Sequence, residues 1–183
     1  MSYGNWVAGT SMQYTKSDPP SAEPEVFKPF MKIPRTPIFP GVPDNTLRVD
    51  TLTNFTREYA ALFTYKKRWT FATISFGNSG KMMEEFYQLT KEAVKPFTSL
   101  PGFQLSVSYQ PLPTTMSERN HAVDSLGPVQ TEGNMFFIHF AMAVDGSEAN
   151  SDKPMQDMVK KLFADATDRA KQLGLQRDYL AMT

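Results

Sequence analysis

The chain has 183 residues, 40% of them hydrophobic and 21% charged, which is the balance of a globular protein with a sizeable core and the length of one domain. Nineteen Lys and Arg offset nineteen Asp and Glu, so no surplus of basic charge points to nucleic acid or an anionic membrane as a partner. The absence of cysteine excludes disulfides, thiolate chemistry and cysteine-held metal, and no apolar run approaches the roughly 20 residues of a membrane span.

In chain order, the opening MSYGNW has neither a basic cluster nor an apolar stretch, so it does not read as a signal peptide, and a cytoplasmic location is the default expectation. Residues 5–15 read as a first strand rich in small side chains. Residues 17–45 form a Pro-rich meander, from Pro19 to Pro43. It is expected to be ordered, because Phe27, Phe30, Ile33, Ile38 and Phe39 make it too apolar for a flexible linker. A short helical turn is predicted over 23–30, with Pro24 near its first position, where a missing N–H costs little. An extended piece over 47–52 and a short helix over 54–62 follow. The sequon at Asn54-Phe55-Thr56 is assigned to chance.

The basic run Tyr65-Lys66-Lys67-Arg68 reads as a solvated strand entrance. Residues 68–76 alternate as a strand, with Ala72, Ile74 and Phe76 on one face and Trp69, Phe71, Thr73 and Ser75 on the other. GNSGK then turns the chain into a helix over 80–95, where Met82, Phe86, Leu89 and Ala93 recur at helical spacing until Pro96 ends it. Residues 102–110 are a strand of strict alternation that Pro111 and Pro113 should stop, followed by a polar loop over 112–133. Residues 135–144 are the most apolar strand, with His139 on the same face as Phe137 and Ala141. Ser151 or Asp152 caps a last helix whose stripe runs from Met155 to Leu173, with i,i+4 pairs expected at Asp157–Lys161 and Asp165–Arg169. Gly174 stops it, and residues 176–182 begin a further strand. The order predicts an α+β fold: a mostly antiparallel sheet with helices packed on one face, the other face lining a substrate cavity. All 183 residues are expected to form a single domain.

Motifs for self-contained chemistry are missing. His121 and His139 stand eighteen apart without zinc-like spacing, so no metal ligands are assigned. Gly77-x-x-Gly80-Lys81 lacks two features of a phosphate-binding loop, four residues between the glycines and a Ser or Thr after the Lys; it reads as a strand-to-helix turn capped by Asn78 or Ser79. Glu84 and Glu85 are adjacent on a helix and diverge. What remains is an uncharged polar sheet face. Gln104, Ser106, Ser108, Gln110 and His139 are the candidate substrate-binding residues, able to orient a ligand by hydrogen bonds while aromatic neighbours bury it.

EPEVFKPFMKIP (23–34), LTNFTREYAAL (52–62), GFQLSVSYQPLP (102–113), SLG (125–127) and RDYLAMT (177–183) together resemble the C-terminal half of fungal FAD-linked oxidases, the berberine-bridge-enzyme-like members of the vanillyl-alcohol-oxidase group. The resemblance covers nearly the whole chain. It implies the substrate domain of an FAD-dependent oxidoreductase, whose inner sheet face roofs the flavin and a small secondary metabolite or sugar-like substrate. The flavin-binding domain would lie outside these residues, so FAD is expected in the full-length family and no cofactor-binding residue here. The family closes on Tyr-x-x-x-Asn-Tyr, the last Tyr being the usual base. Tyr179 matches the first position, Thr183 stands where Asn is expected, and the sequence stops before the second Tyr, so no catalytic residue is assigned and oxidation by this chain alone is not expected. The partners implied are a small molecule and either a flavin-binding domain or a second copy through the open sheet face. The alternative is a stand-alone, redox-inactive binder or cyclase that uses the retained cavity.

Overall fold

The structure, a computed structural model, describes residues 6–9, 12, 14, 18, 23–34, 49–61, 65–115 and 133–177. The chain divides into two compact units, Asn5–Tyr65 and Lys66–Thr183 together with Met1–Gly4.

In the smaller unit a 3-10 turn, Glu25–Phe27, runs straight into a short helix α1, Lys28–Met31. Pro24 is its N-cap and Pro29 lies in the first turn of α1, positions where a missing N–H is harmless. Helix α2 spans Leu52–Ala61. The expected extended piece over 47–52 fails at its end, because Thr51 caps that helix. Its Oγ1 accepts from the Asn54 N–H at 3.3 Å, and Asp50 Oδ1 accepts from the Thr51 N–H at 2.7 Å. The predicted first strand is also absent over Trp6–Gly9, which is irregular. Trp6 and Val7 are both exposed, so this stretch has no buried face to hold it in a sheet.

In the larger unit the order is β1 (Lys67–Gly77), α3 (Gly80–Val94), β2 (Gln104–Leu112), β3 (Met135–Asp145) and α4 (Asp152–Gln172). The strands form one antiparallel sheet in the order β1-β3-β2. β1 and β2 are therefore parallel to each other with β3 inserted between them, the split β-α-β arrangement, and α3 is their crossover. After α4 the chain returns to β1: Gln176 bridges Phe76, and the Gly77 N–H donates to the Leu175 carbonyl at 2.8 Å. Gly174 makes the stop with φ +66°. Pro111 does not end β2. It lies within the strand opposite Phe136, tolerated because β2 is an edge strand.

The core lies between the sheet and the two long helices. Ile74 and Phe76 of β1, Leu105 of β2 and Phe136, Ile138, Phe140, Met142 and Val144 of β3 meet Met82, Phe86 and Val94 of α3 and Met155, Val159, Leu162, Ala166 and Ala170 of α4. Phe86 is the hub of an aromatic cluster, 6.1 Å from Phe76, 6.4 Å from Tyr109 and 6.1 Å from Phe163. The small Ala166 and Ala170 let α4 sit close, while Ser79 Oγ starts α3 by accepting from the Met82 N–H.

Two arginine forks tie the layers. Arg68 on β1 donates through Nε (2.6 Å) and Nη2 to the Asp152 carboxylate at the start of α4. Arg169 on α4 donates to both oxygens of Glu85 on α3, at 2.9 and 2.6 Å. Those hydrogen bonds hold the Asp152 and Glu85 carboxyls below their ordinary range. The fork takes Arg169 away from the expected pair with Asp165, which Lys161 reaches instead at 2.6 Å; Asp157 likewise pairs with Lys153 at 2.7 Å. The basic run is a solvated entrance at Tyr65 and Lys66, which are exposed, but not at the two residues that follow. The Lys67 ammonium donates to the Gly102 carbonyl at 2.6 Å and lies 3.3 Å from Asp145. Gly102 has φ +67°, and a Cβ there would overlap Asp145 Oδ1.

Phe140 is fully buried and packs edge-on against Phe163, so Phe140→Ala is expected to lose about 3–5 kcal/mol in urea unfolding. Burial pushes the Tyr109 phenol up to about 12, and its hydroxyl donates to the Met83 carbonyl at 3.4 Å. A folded pKa above the unfolded one means that the folded chain holds a proton the unfolded chain has lost. The stability tied to this group is therefore present below about pH 10 and falls between about 10 and 12. Urea midpoints measured across that window should fall less steeply for Tyr109→Phe than for the parent.

Candidate functional site

The alternation of the three strands and their antiparallel register place a second set of side chains on the face away from α3 and α4. Read across the sheet from β1 through β3 to β2, its rows are Trp69–Ala143–Gln104, Phe71–Ala141–Ser106, Thr73–His139–Ser108 and Ser75–Phe137–Gln110. Gly77, Met135 and Leu112 make the last row. The predicted residues are thus brought together: Gln104, Ser106, Ser108 and Gln110 form one column, and His139 stands directly opposite Ser108. Ser106, Ser108 and Gln110 are exposed, while Gln104 and His139 are half-buried.

The aromatic part of this face is more ordered than the alternation alone reveals. Trp69 stacks on Phe71 at 5.5 Å and Phe71 stacks on His139 at 5.7 Å, both at an interplanar angle of 11°. Phe71 lies opposite Ala141, so its ring reaches His139 in the next row, where the small alanine leaves room. Phe71 remains 50% exposed, a large flat apolar surface beside the polar column. The stack needed the β1–β3 register to be found; the sequence shows only that Trp69 and Phe71 share a face.

Apart from His139, no residue in these five rows is ionisable. Formal charge gathers at the two ends. The next row is Lys67–Asp145, locked to the Gly102 carbonyl. At the other end Arg177 Nη2 lies 2.9 Å from the point a Gly77 Cβ would occupy. Such a face presents aromatic surfaces and neutral hydrogen-bonding groups. A concavity of about 520 Å³ borders this face at Thr73 and Ser75 and runs along β1 to Phe163, Thr167 and Lys171 of α4. Among the described residues no three His, Asp or Glu gather as metal ligands, and no helix is long and apolar enough to cross a membrane. The Gly77–Lys81 stretch is a strand-to-helix turn, with Ser79 as the cap of α3. His121, Tyr179 and Thr183 lie outside the described residues.

No protein-family model matches the chain, and no solved structure matches it. Curated relatives do. The FAD-dependent monooxygenase elcE of Phaeosphaeria nodorum is 62% identical over 182 residues, covering 100% of this chain and 55% of that protein. Two proteins called FAD-dependent monooxygenase CTB5, from Cercospora nicotianae and Cercospora beticola, are each 54% identical over 180 residues, covering 98% of this chain and 39% and 34% of theirs. The chain is therefore homologous along its whole length to part of fungal proteins named as FAD-dependent monooxygenases, and spans about a third to a half of them.

If the stack is a cooperating unit, a double-mutant cycle between Phe71→Ala and His139→Ala should give a coupling of about 0.5–1.5 kcal/mol in urea unfolding. The same cycle between Phe71→Ala and Gln110→Ala, two rows apart and on opposite edges, should give a coupling near zero.

Proposed function

We propose that this chain is the substrate-facing part of an FAD-dependent oxidoreductase of the berberine-bridge-enzyme-like kind, working on a small secondary metabolite. The observation that carries the reading is the sheet face away from the helices: uncharged rows in which a near-parallel Trp69–Phe71–His139 stack stands beside the exposed Ser106, Ser108 and Gln110. The homology to part of FAD-dependent monooxygenases supports it, since a longer protein would supply the layer that closes this face.

The ring system of a flavin suits such a surface better than its pyrophosphate, because the five rows themselves carry no Lys or Arg. When bound elsewhere in the longer protein, the flavin supplies the redox chemistry. The role of this chain is then to bind and orient. Trp69 and Phe71 give a planar substrate an apolar surface to lie on. Gln104, Ser106, Ser108 and Gln110 give and accept neutral hydrogen bonds along one side of it, and His139 can do either. Covering the face excludes water, which strengthens each of those bonds. Uncharged donors select for hydroxyl and carbonyl substituents over ionised ones, because a buried ion would find no counter-charge in these rows.

The test is a chimaera carrying this chain in place of the matched 182 residues of elcE. The chimaera is expected to purify with a flavin absorbance band and this chain alone without one. Ring-closing activity of the chain alone without flavin would favour the stand-alone reading instead, and a flavin bound to the chain alone would overturn the placing of the cofactor site outside these residues. In the chimaera, Gln104→Leu and Ser108→Ala should each raise KM about tenfold, the worth of one buried hydrogen bond, with kcat within about twofold. An unchanged KM for both would remove the polar column from the binding surface.

A further inference from the structure

The imidazole of His139 is clamped by stacking and not by hydrogen bonds. It is half-buried on β3 and lies 5.7 Å from Phe71 at an interplanar angle of 11°. Among the described residues neither of its nitrogens has a hydrogen-bond partner, although polar groups drawn out of water generally find one. Thr73 of β1 and Ser108 of β2 stand directly opposite, one on each side, without bonding to it. No titratable or charged side chain faces it from any of the three strands. The adjoining rows hold Phe71, Ala141 and Ser106 on one side and Ser75, Phe137 and Gln110 on the other. The nearest formal charges described on this face are Arg177 at Gly77, two rows away, and the Lys67–Asp145 pair, three rows away.

We propose that His139 is a catalytic base, the acceptor of a proton from a hydroxyl of the bound substrate. The inference rests on the reading given under Proposed function and adds a chemical step to a surface assigned there to binding alone. The lone pair of the unprotonated ring nitrogen takes the proton, the O–H bond breaks, and its electron pair stays on the substrate oxygen. The result is an imidazolium beside an oxyanion. The substrate thus arrives uncharged, as the rows require, and ionises only where its counter-charge forms with it. Phe71 favours the step, since its ring lies within the roughly 6 Å at which an aromatic face attracts a cation. Ser108 is suited to donate to the oxyanion. The chemistry also narrows the substrate. A phenol holds its proton only about 3.5 pH units more tightly than an imidazole does, and an aliphatic alcohol far more tightly, so phenols and enols are the hydroxyls this base fits.

The experiment uses the chimaera with elcE and the probe umbelliferone, a flat phenol whose ionised form has its own absorption band. Calorimetry reads its binding, and difference absorbance across pH reads its ionisation. The parent is compared with His139→Gln, which keeps a flat hydrogen-bonding side chain and cannot take the proton; His139→Asn serves if circular dichroism shows the first variant misfolded. In the parent the bound phenol is expected to ionise at a proton concentration at least about tenfold higher than the free phenol does, and the variant should bind it within about threefold without that shift. If neither variant binds, the nitrogen-15 shifts of the parent imidazole decide: both nitrogens protonated in the complex supports the base, and one overturns it. A shift that persists in the variant, or a parent that binds the probe without shifting it, overturns the base and leaves the proposed function standing. A parent that does not bind the probe overturns both.

Discussion

The architecture of the larger unit depends on β3. It is bonded along both edges, to β1 and to β2, and five of its residues, Phe136, Ile138, Phe140, Met142 and Val144, lose all contact with solvent on one face. A strand this apolar has no stable place except the middle of a sheet under a helical layer. With β3 central and antiparallel to both neighbours, β1 and β2 must run parallel, and only a crossover as long as α3 can join them. α4 then fills the remaining half of the helical layer, with Ala166 and Ala170 on its buried stripe. The opposite face is what this packing leaves over. Ala141 and Ala143 are buried even there, so in two rows that face has a small-residue floor on β3 beside Phe71 and Trp69 of β1.

Charge is distributed to suit the same division. The helix side carries the Arg68–Asp152 and Arg169–Glu85 forks, and the ends of the open face carry Lys67–Asp145 and Arg177. Each fork is half-exposed and screened by solvent, so it adds little to stability. Their geometric value is larger: a bidentate guanidinium fixes both the distance and the angle between the elements it joins. The ionic work of the fold is therefore done away from the five uncharged rows, which stay available for neutral contacts.

Periodicity made the larger unit legible because nearly every buried position in it obeys the period of its element. The faces of β1, β2 and β3 and the stripes of α3 and α4 follow from alternation and helical spacing alone, and so does the uncharged column from Gln104 to Gln110. What escaped was set by tertiary pairing. Nothing local tells Arg169 to prefer Glu85, eighty-four residues away, over Asp165, or lets Lys67 leave solvent for the Gly102 carbonyl. Pro111 looked like a stop because edge position is a property of the sheet, not of the segment. Trp6–Gly9 alternates weakly but never gains a buried side, and Thr51 was taken for strand because its capping role appears only once Asp50 and Asn54 close around it. The stack on Phe71 depends on the register that sets it beside His139.

Gly102 carries a consequence of its own. It holds a left-handed backbone at the entrance to β2 while its carbonyl receives the Lys67 ammonium, and the space a methyl group would need is filled by the Asp145 carboxylate. Three positions far apart in the chain therefore share one small volume. In descendants of this sequence they should change together or not at all, so that an alanine at 102 would be tolerated only alongside a shortened acid at 145 and a relocated amine at 67.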